Sequence, residues 1–204
     1  VGADQKDFIP AMDSKGFHPN VFIHLEKNGN ITIIASRSEM GQGIRTSLAS
    51  AIADELEADW KYISVKQAIG HEQYGNQNTD GSRSVRTQLT PMRKMGASAK
   101  MMLLAAAAKI WEIAIEACSA KNHFVVNKKT KETLFFGDLV SEASFVSVPS
   151  YDSIQLKKVE DFNFIGKTSK SVDIKDFTQV TPSYGLDTVA STHLTLPTLS
   201  SVYL

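Results

Sequence analysis

The chain has 204 residues, 22 basic and 22 acidic side chains, a hydrophobic fraction of 42% and a single cysteine, Cys118. Zero net charge excludes nucleic-acid or acidic-membrane binding by bulk attraction, while leaving room for a local anion site. One thiol excludes an intramolecular disulfide framework and a thiolate zinc cluster. The most apolar run, Met101 to Ala108, is far shorter than the ~20 residues of a membrane-spanning helix.

The opening Val1-Gly2-Ala3-Asp4 lacks both an initiator methionine and a basic-then-apolar leader, which points to a removed leader or a longer parent. Asn20–Glu26 alternates, with Val21, Ile23 and Leu25 on one face and Phe22, His24 and Glu26 on the other. Its polar face predicts a solvated His24. Asn28-Gly29 supplies a hairpin turn, and Ile31–Ser36 reads as the more central return strand. Ile44, Leu48, Ile52 and Leu56 then recur at i+4, the stripe of an amphipathic helix ending near Asp59. Tyr62–Gln67 alternates again as a strand, and a polar loop runs from about Gly70 to Gly81.

Thr90-Pro91 predicts the start of a long helix, with a capping hydroxyl followed by proline at the first helical position. Met95, Ala99, Met102, Leu103, Ala106 and Ile110 trace one face of it, with an end near Ala117. Phe124–Val126 and Thr133–Phe135 predict a strand pair joined by the basic turn Asn127–Lys131, and Gly137-Asp138 caps a brief helix. Residues 146–187 read as loops and short strands. From Thr188 onward the chain has no Asp, Glu, Lys or Arg and no recognisable period. Strands interleaved with two long helices predict an α+β domain of layered sheets and helices.

Two segments have the equipment for ligand binding. Glu39-Met40-Gly41-Gln42-Gly43-Ile44-Arg45-Thr46 joins strand to helix, where paired glycines permit close backbone approach and the helix start offers N–H groups to an anion. A dinucleotide fingerprint fails at Thr46, which stands where the third glycine belongs, and a P-loop fails for want of Gly-Lys-Ser/Thr. By spacing alone, a ligand-free strand-to-helix turn explains the glycines as well as an anion site does. Thr79-Asp80-Gly81-Ser82-Arg83-Ser84-Val85-Arg86 gathers hydroxyls and guanidinium groups suited to phosphate or a polar heterocycle. Simple helix capping accounts for the same residues. The five histidines show no paired helical spacing for a metal. Cys118 follows an apolar helix without an identifiable base, which predicts a buried thiol.

These motifs, with the helix Gly96-Ala97-x-Ala99-x-Met101-Met102-Leu103, resemble the molybdenum hydroxylases. The match is to the molybdopterin-binding large subunit of the isoquinoline 1-oxidoreductase and aldehyde-oxidoreductase type, relatives of xanthine dehydrogenase. Ile165-Gly166-Lys167, Asp173 and Tyr184-Gly185-Leu186-Asp187 resemble the family's stretch leading into its next domain, while Val180 stands where it has glycine. The resemblance implies that Gly41, Gln42, Gly43, Thr79, Gly81, Ser82, Arg83 and Ser84 line a pterin cofactor, in the cytosine dinucleotide form and carrying molybdenum on its own dithiolene. It implies hydroxylation of an N-heterocycle or an aldehyde with water-derived oxygen. It also implies a separate small subunit holding 2Fe–2S clusters, none in this chain, and a cytochrome as a possible acceptor.

No catalytic or metal-ligating residue is expected here, because the family's general base lies beyond this stretch. The chain is accordingly expected to divide into an extension (1–19), a molybdopterin-binding domain (20–145), a connector to a further domain (146–187) and a non-native or disordered tail (188–204). Export to the periplasm is the expected location. The rival readings are a non-catalytic module binding a phosphorylated ligand or partner protein, and a nicotinamide-dependent oxidoreductase.

Overall fold

The computed structural model of the chain describes residues 16–179. Residues 1–15 and 180–204 lie outside them, and with them most of the expected extension, the whole expected tail, Val180 and Tyr184–Asp187. The chain divides into two compact units, residues 1–169 and 170–204. The described part of the second carries one short helix, α4 (Ile174–Gln179).

The first unit is an α+β domain. Its larger sheet has the order β1 (Phe17–Asn20), β2 (Ile23–Leu25), β3 (Ile31–Ala35), β4 (Ile63–Gln67), with β3 and β4 parallel and the other pairs antiparallel. The central position of β3 follows from its apolar run. Helix α1 (Ile44–Leu56) crosses over between β3 and β4 and buries the expected stripe of Ile44, Leu48, Ile52 and Leu56. A second antiparallel sheet holds β5 (Cys118–Lys121), β6 (Phe124–Asn127) and β7 (Thr133–Phe135), followed by a short helix α3 (Val140–Ala143). The thiol of Cys118 is buried, and burial raises its pKa.

Several elements depart from the sequence reading. Val21 and Phe22 form a turn between β1 and β2, not part of a strand, because Asn20 Oδ1 accepts the Phe22 N–H at 3.0 Å. Phe17–Asn20, expected in the extension, thereby becomes a paired strand. His24 is 7% exposed, stacked on His18 at 4.2 Å, so both faces of β2 are covered. Helix α2 runs from Arg83 to Trp111, with Pro91 inside it. It begins early because its first turns are held from outside: Arg37 Nη2 donates to Thr87 Oγ1 at 3.3 Å, and Thr87 Oγ1 donates to the Arg83 carbonyl at 2.8 Å. It ends before Ala117 because Glu112 turns left-handed and its N–H returns to Ala108 and Lys109. Ile110 is consequently exposed, while Ala99, Met102, Leu103 and Ala106 are buried as expected.

α1 and α2 pack through a close approach at Gly96. A Cβ built there would stand 2.4 Å from the Ile52 carbonyl oxygen and 3.1 Å from Glu55 Cβ. The C-terminal end of α1 carries two fully buried carboxylates. Asp54 accepts the backbone N–H groups of Asn163, Phe164 and Ile165 and an ion pair from Lys157 at 2.8 Å. Burial alone would raise its pKa, but the bonds from Asn163, Ile165, Lys157 and Phe164 outweigh it and hold Asp54 below its ordinary range. Glu55 pairs with Arg93 of α2 at 2.7 Å and accepts the Lys157 N–H. Residues 157–165 of the expected connector therefore close over α1.

His123 joins three regions. Its Nδ1 accepts the Asp59 N–H at 3.2 Å, which leaves the proton on Nε2 to reach the Gly29 carbonyl at 2.9 Å. Burial lowers its pKa. A histidine held neutral in the fold contributes stability above its unfolded pKa of about 6.5 and loses it as pH falls through the folded value. Urea melts between about pH 8 and pH 5 should show the midpoint falling below pH 6.5, and His123→Gln should flatten that decline. For Gly96→Ala, the helix-propensity gain of about 1 kcal/mol is opposed by overpacking of about 1–3 kcal/mol against rigid backbone. A lowered thermal midpoint is expected; a raised one would refute the close approach of α1 and α2.

Candidate functional site

The two motifs meet on one cleft. The chain leaves β3 through Ser36 to Gly43 and enters α1, while the loop after β4 returns to the same place and enters α2 at Arg83. Thr79 Oγ1 accepts the Ser38 N–H at 2.9 Å, which staples the loops across 41 residues of sequence. Between them lies a cleft of about 370 Å³, lined by Gln42, Ser47, Thr79, Asp80, Gly81, Ser82 and Ser84, with Met40, Ile44 and Val85 as its apolar wall. Of the eight expected site residues, five line this cleft: Gln42, Thr79, Gly81, Ser82 and Ser84. Gly41, Gly43 and Arg83 sit in the same loops outside the lining. A neighbouring cavity of about 220 Å³ shares Ser47 and Val85 and extends toward Phe164–Ser169.

The glycine loop is shaped by its own carboxylate. Glu39 Oε1 accepts the N–H groups of Gly41 at 2.8 Å and Gly43 at 2.9 Å, and Oε2 accepts that of Arg45 at 3.2 Å. Glu39 therefore meets one N–H group of the first turn of α1 and two just before it, and the anion at the α1 N-terminus is a side chain of this chain. Gly41 and Gly43 have φ of +90° and +80°, which a side chain would strain, and a Cβ on either meets nothing within 4 Å. Gln42 is tied at both ends, accepting the Met40 N–H at 2.5 Å and donating to the Ser38 carbonyl at 2.9 Å.

On the second loop, Ser82 takes the left-handed cap of α2 without a side-chain capping bond, and its hydroxyl lies on the cleft wall. Helix capping by Ser82 is thus not what the structure uses it for. Arg83 bonds Asp80 through Nε at 2.9 Å and Nη2 at 2.5 Å, and these bonds hold the Asp80 carboxyl below its ordinary pKa. Arg45 donates to the Val65 carbonyl at 2.9 Å, joining the start of α1 to β4.

Two residues escaped the sequence reading of the site. Glu39 had a signal, a glutamate two residues before a Gly-x-Gly, but its role as an internal anion depends on the loop folding back. Arg37, at the end of β3, is 3% exposed and reaches Asn76 and Thr87, 39 and 50 residues away. Nothing local announces that. Among the described residues no group of three or more His, Cys, Asp or Glu side chains could hold a metal ion, and no helix is long and apolar enough to cross a membrane.

The family model of the molybdopterin cofactor-binding domain matches residues 7–191. The isoquinoline 1-oxidoreductase subunit beta of Brevundimonas diminuta is 30% identical over 138 residues, 64% of this chain and 17% of that protein. The membrane-bound aldehyde dehydrogenase (pyrroloquinoline-quinone) of Gluconacetobacter polyoxogenes is 30% identical over 175 residues, 84% of this chain and 22% of that protein. The chain thus spans about a fifth of these relatives' lengths. The reconstituted CO dehydrogenase from Oligotropha carboxidovorans shares the fold, with a TM-score of 0.51 and 20% identity over 57% of this chain and 15% of that one.

Glu39→Ala removes the carboxylate that accepts three N–H bonds around the α1 N-terminus, a loss of about 1 kcal/mol. The expected outcome is a thermal midpoint lower by roughly 2–4 °C. Unchanged melting would mean that water replaces the carboxylate without cost.

Proposed function

The chain belongs to the molybdopterin cofactor-binding domain family, and from that premise we propose that the cleft between Gln42 and Ser84 is its share of the pterin site. The single observation behind this assignment is the convergence of the Gly41–Gly43 and Thr79–Ser84 loops on one cleft. The residues suit the group. Hydroxyls of Ser47, Thr79, Ser82 and Ser84 can meet the polar edges of a heterocycle and its phosphate, while Met40, Ile44 and Val85 cover an apolar face. The neighbouring cavity along Ser47 and Val85 offers room for an extension, which favours a dinucleotide form, here the cytosine dinucleotide.

When bound, the molybdenum centre supplies the two-electron oxidation of a small-molecule carbon next to a ring nitrogen or of an aldehyde carbon, with oxygen from water. This chain's residues bind and orient. Glu39 holds the loop in its positive-φ form, which sets Met40, Gln42 and Ile44 along the cleft. The Ser38–Thr79 bond keeps the two walls in register, and the apolar side chains exclude water from one face.

In this reading residues 20–145 form the cofactor-binding unit and 146–187 the connector to further chain, where the catalytic base resides. No catalytic residue or iron–sulfur ligand is assigned to these 204 residues. A small 2Fe–2S subunit takes the electrons and passes them to a carrier such as a cytochrome, in keeping with a relative named as a subunit beta. The assembled enzyme works after export to the periplasm. Family membership favours this enzyme reading over a free-standing phosphate-ligand or protein-interaction module.

The test is cofactor content of the protein purified with its neighbouring subunits, read as molybdenum by mass spectrometry, pterin by fluorescence and released CMP by chromatography. All three are expected near equal amounts, and pyrroloquinoline quinone is expected to be absent. Gly43→Ala should lower molybdenum and pterin together, because alanine resists the left-handed φ there. Full occupancy in that variant would sink the assignment of the glycine loop.

A further inference from the structure

A third, smaller cavity lies beside Arg83. It measures about 130 Å³ and is lined by Arg37, Asn76, Arg83, Thr87 and Gln88. Every lining side chain is polar, and the only charges among them are two guanidinium groups.

Arg37 is the unusual member. It is 3% exposed, yet its polar contacts are neutral and long: Nη1 to Asn76 Oδ1 at 3.5 Å and Nη2 to Thr87 Oγ1 at 3.3 Å. Its Nε is buried without a hydrogen-bond partner. Burial and the Arg83 charge both lower its pKa, with Asp80 opposing them. Asp80 is itself already engaged, accepting two bonds from Arg83 on Oδ1 and one from Asn78 on Oδ2 at 3.1 Å. Arginine stays charged at neutral pH, so a cation sits in the interior with less compensation than buried charges ordinarily receive.

An anion entering this cavity would meet both guanidinium groups, with the Thr87 hydroxyl and the Asn76 and Gln88 amides at its walls. Arginine forks match tetrahedral oxyanions, and charge-assisted bonds are the strong ones. The volume suits one such group, not a large ligand. We propose that the Arg37–Arg83 cavity is a phosphate-binding site, separate from the pterin cleft, that takes free phosphate or the terminal phosphoryl group of a monoester.

The experiment is thermal melting and isothermal titration calorimetry of the 204-residue chain with inorganic phosphate, with phenyl phosphate, and with sodium chloride at matched ionic strength. Phosphate is expected to raise the midpoint with the logarithm of its concentration, by about 3–6 °C at ten times its Kd, and chloride is not. A response to both phosphates identifies a terminal phosphoryl ligand, and a response to inorganic phosphate alone identifies the free ion. Arg37→Gln should weaken binding about tenfold or more. Should that variant fail to fold, Thr87→Val should still reduce the affinity several-fold. Gly43→Ala should leave the phosphate response intact, since Gly43 does not line the cavity. Equal responses from phosphate and chloride, undiminished binding in Arg37→Gln or Thr87→Val, or loss of the response in Gly43→Ala would each overturn the proposal.

Discussion

Two adjacent carboxylates, Asp54 and Glu55, are buried at the C-terminal end of α1, and much of the first unit is arranged around them. A carboxylate out of water is tolerable only when charges and N–H groups meet it. Glu55 therefore requires Arg93, which sets α2 against α1 at the level of Gly96. Asp54 requires Lys157 and three successive backbone N–H groups, which draws residues 157–165 across the helix. Removing one partner would leave an uncompensated charge, so the elements stand or fall together.

That clamp lies at one end of α1, and the candidate site lies at the other. With α1 and α2 held side by side, their N-termini come together, and the loops that precede them must share a surface. The Ser38–Thr79 bond then fixes the spacing of the cleft. Glu39 settles the electrostatics of the glycine loop before any ligand arrives, since the Gly41, Gly43 and Arg45 N–H groups already have an anion. Ligand recognition in the cleft accordingly falls to hydroxyls and side chains more than to bare helix N–H groups. The guanidinium groups of Arg37 and Arg83 line a separate cavity.

Regular periodicity was readable because it is local. The α1 stripe, the central place of β3 and the β6–β7 pair each follow from spacing within a few residues. Misreadings arose where distant groups intervened. Thr90-Pro91 has the chemistry of a helix start, but side-chain bonds at Thr87 carry helix past it to Arg83. His24 occupies the polar face of an alternating strand, but a neighbouring imidazole covers that face. Residues 157–165 have little pattern of their own, because their hydrogen-bonding partner is a carboxylate about a hundred residues earlier.

The sequence alone determined the α+β class, the buried stripes and the two ligand-binding segments, because residue types at short spacings dictate backbone conformation and local chemistry. It also carried the family resemblance through the order of those motifs. Which groups those segments face was decided only by the tertiary structure. Five site residues gathered on one cleft and Arg37 buried beside Arg83 both depend on contacts across tens of residues. Such contacts form only when α1 and α2 pack, and no local pattern records them.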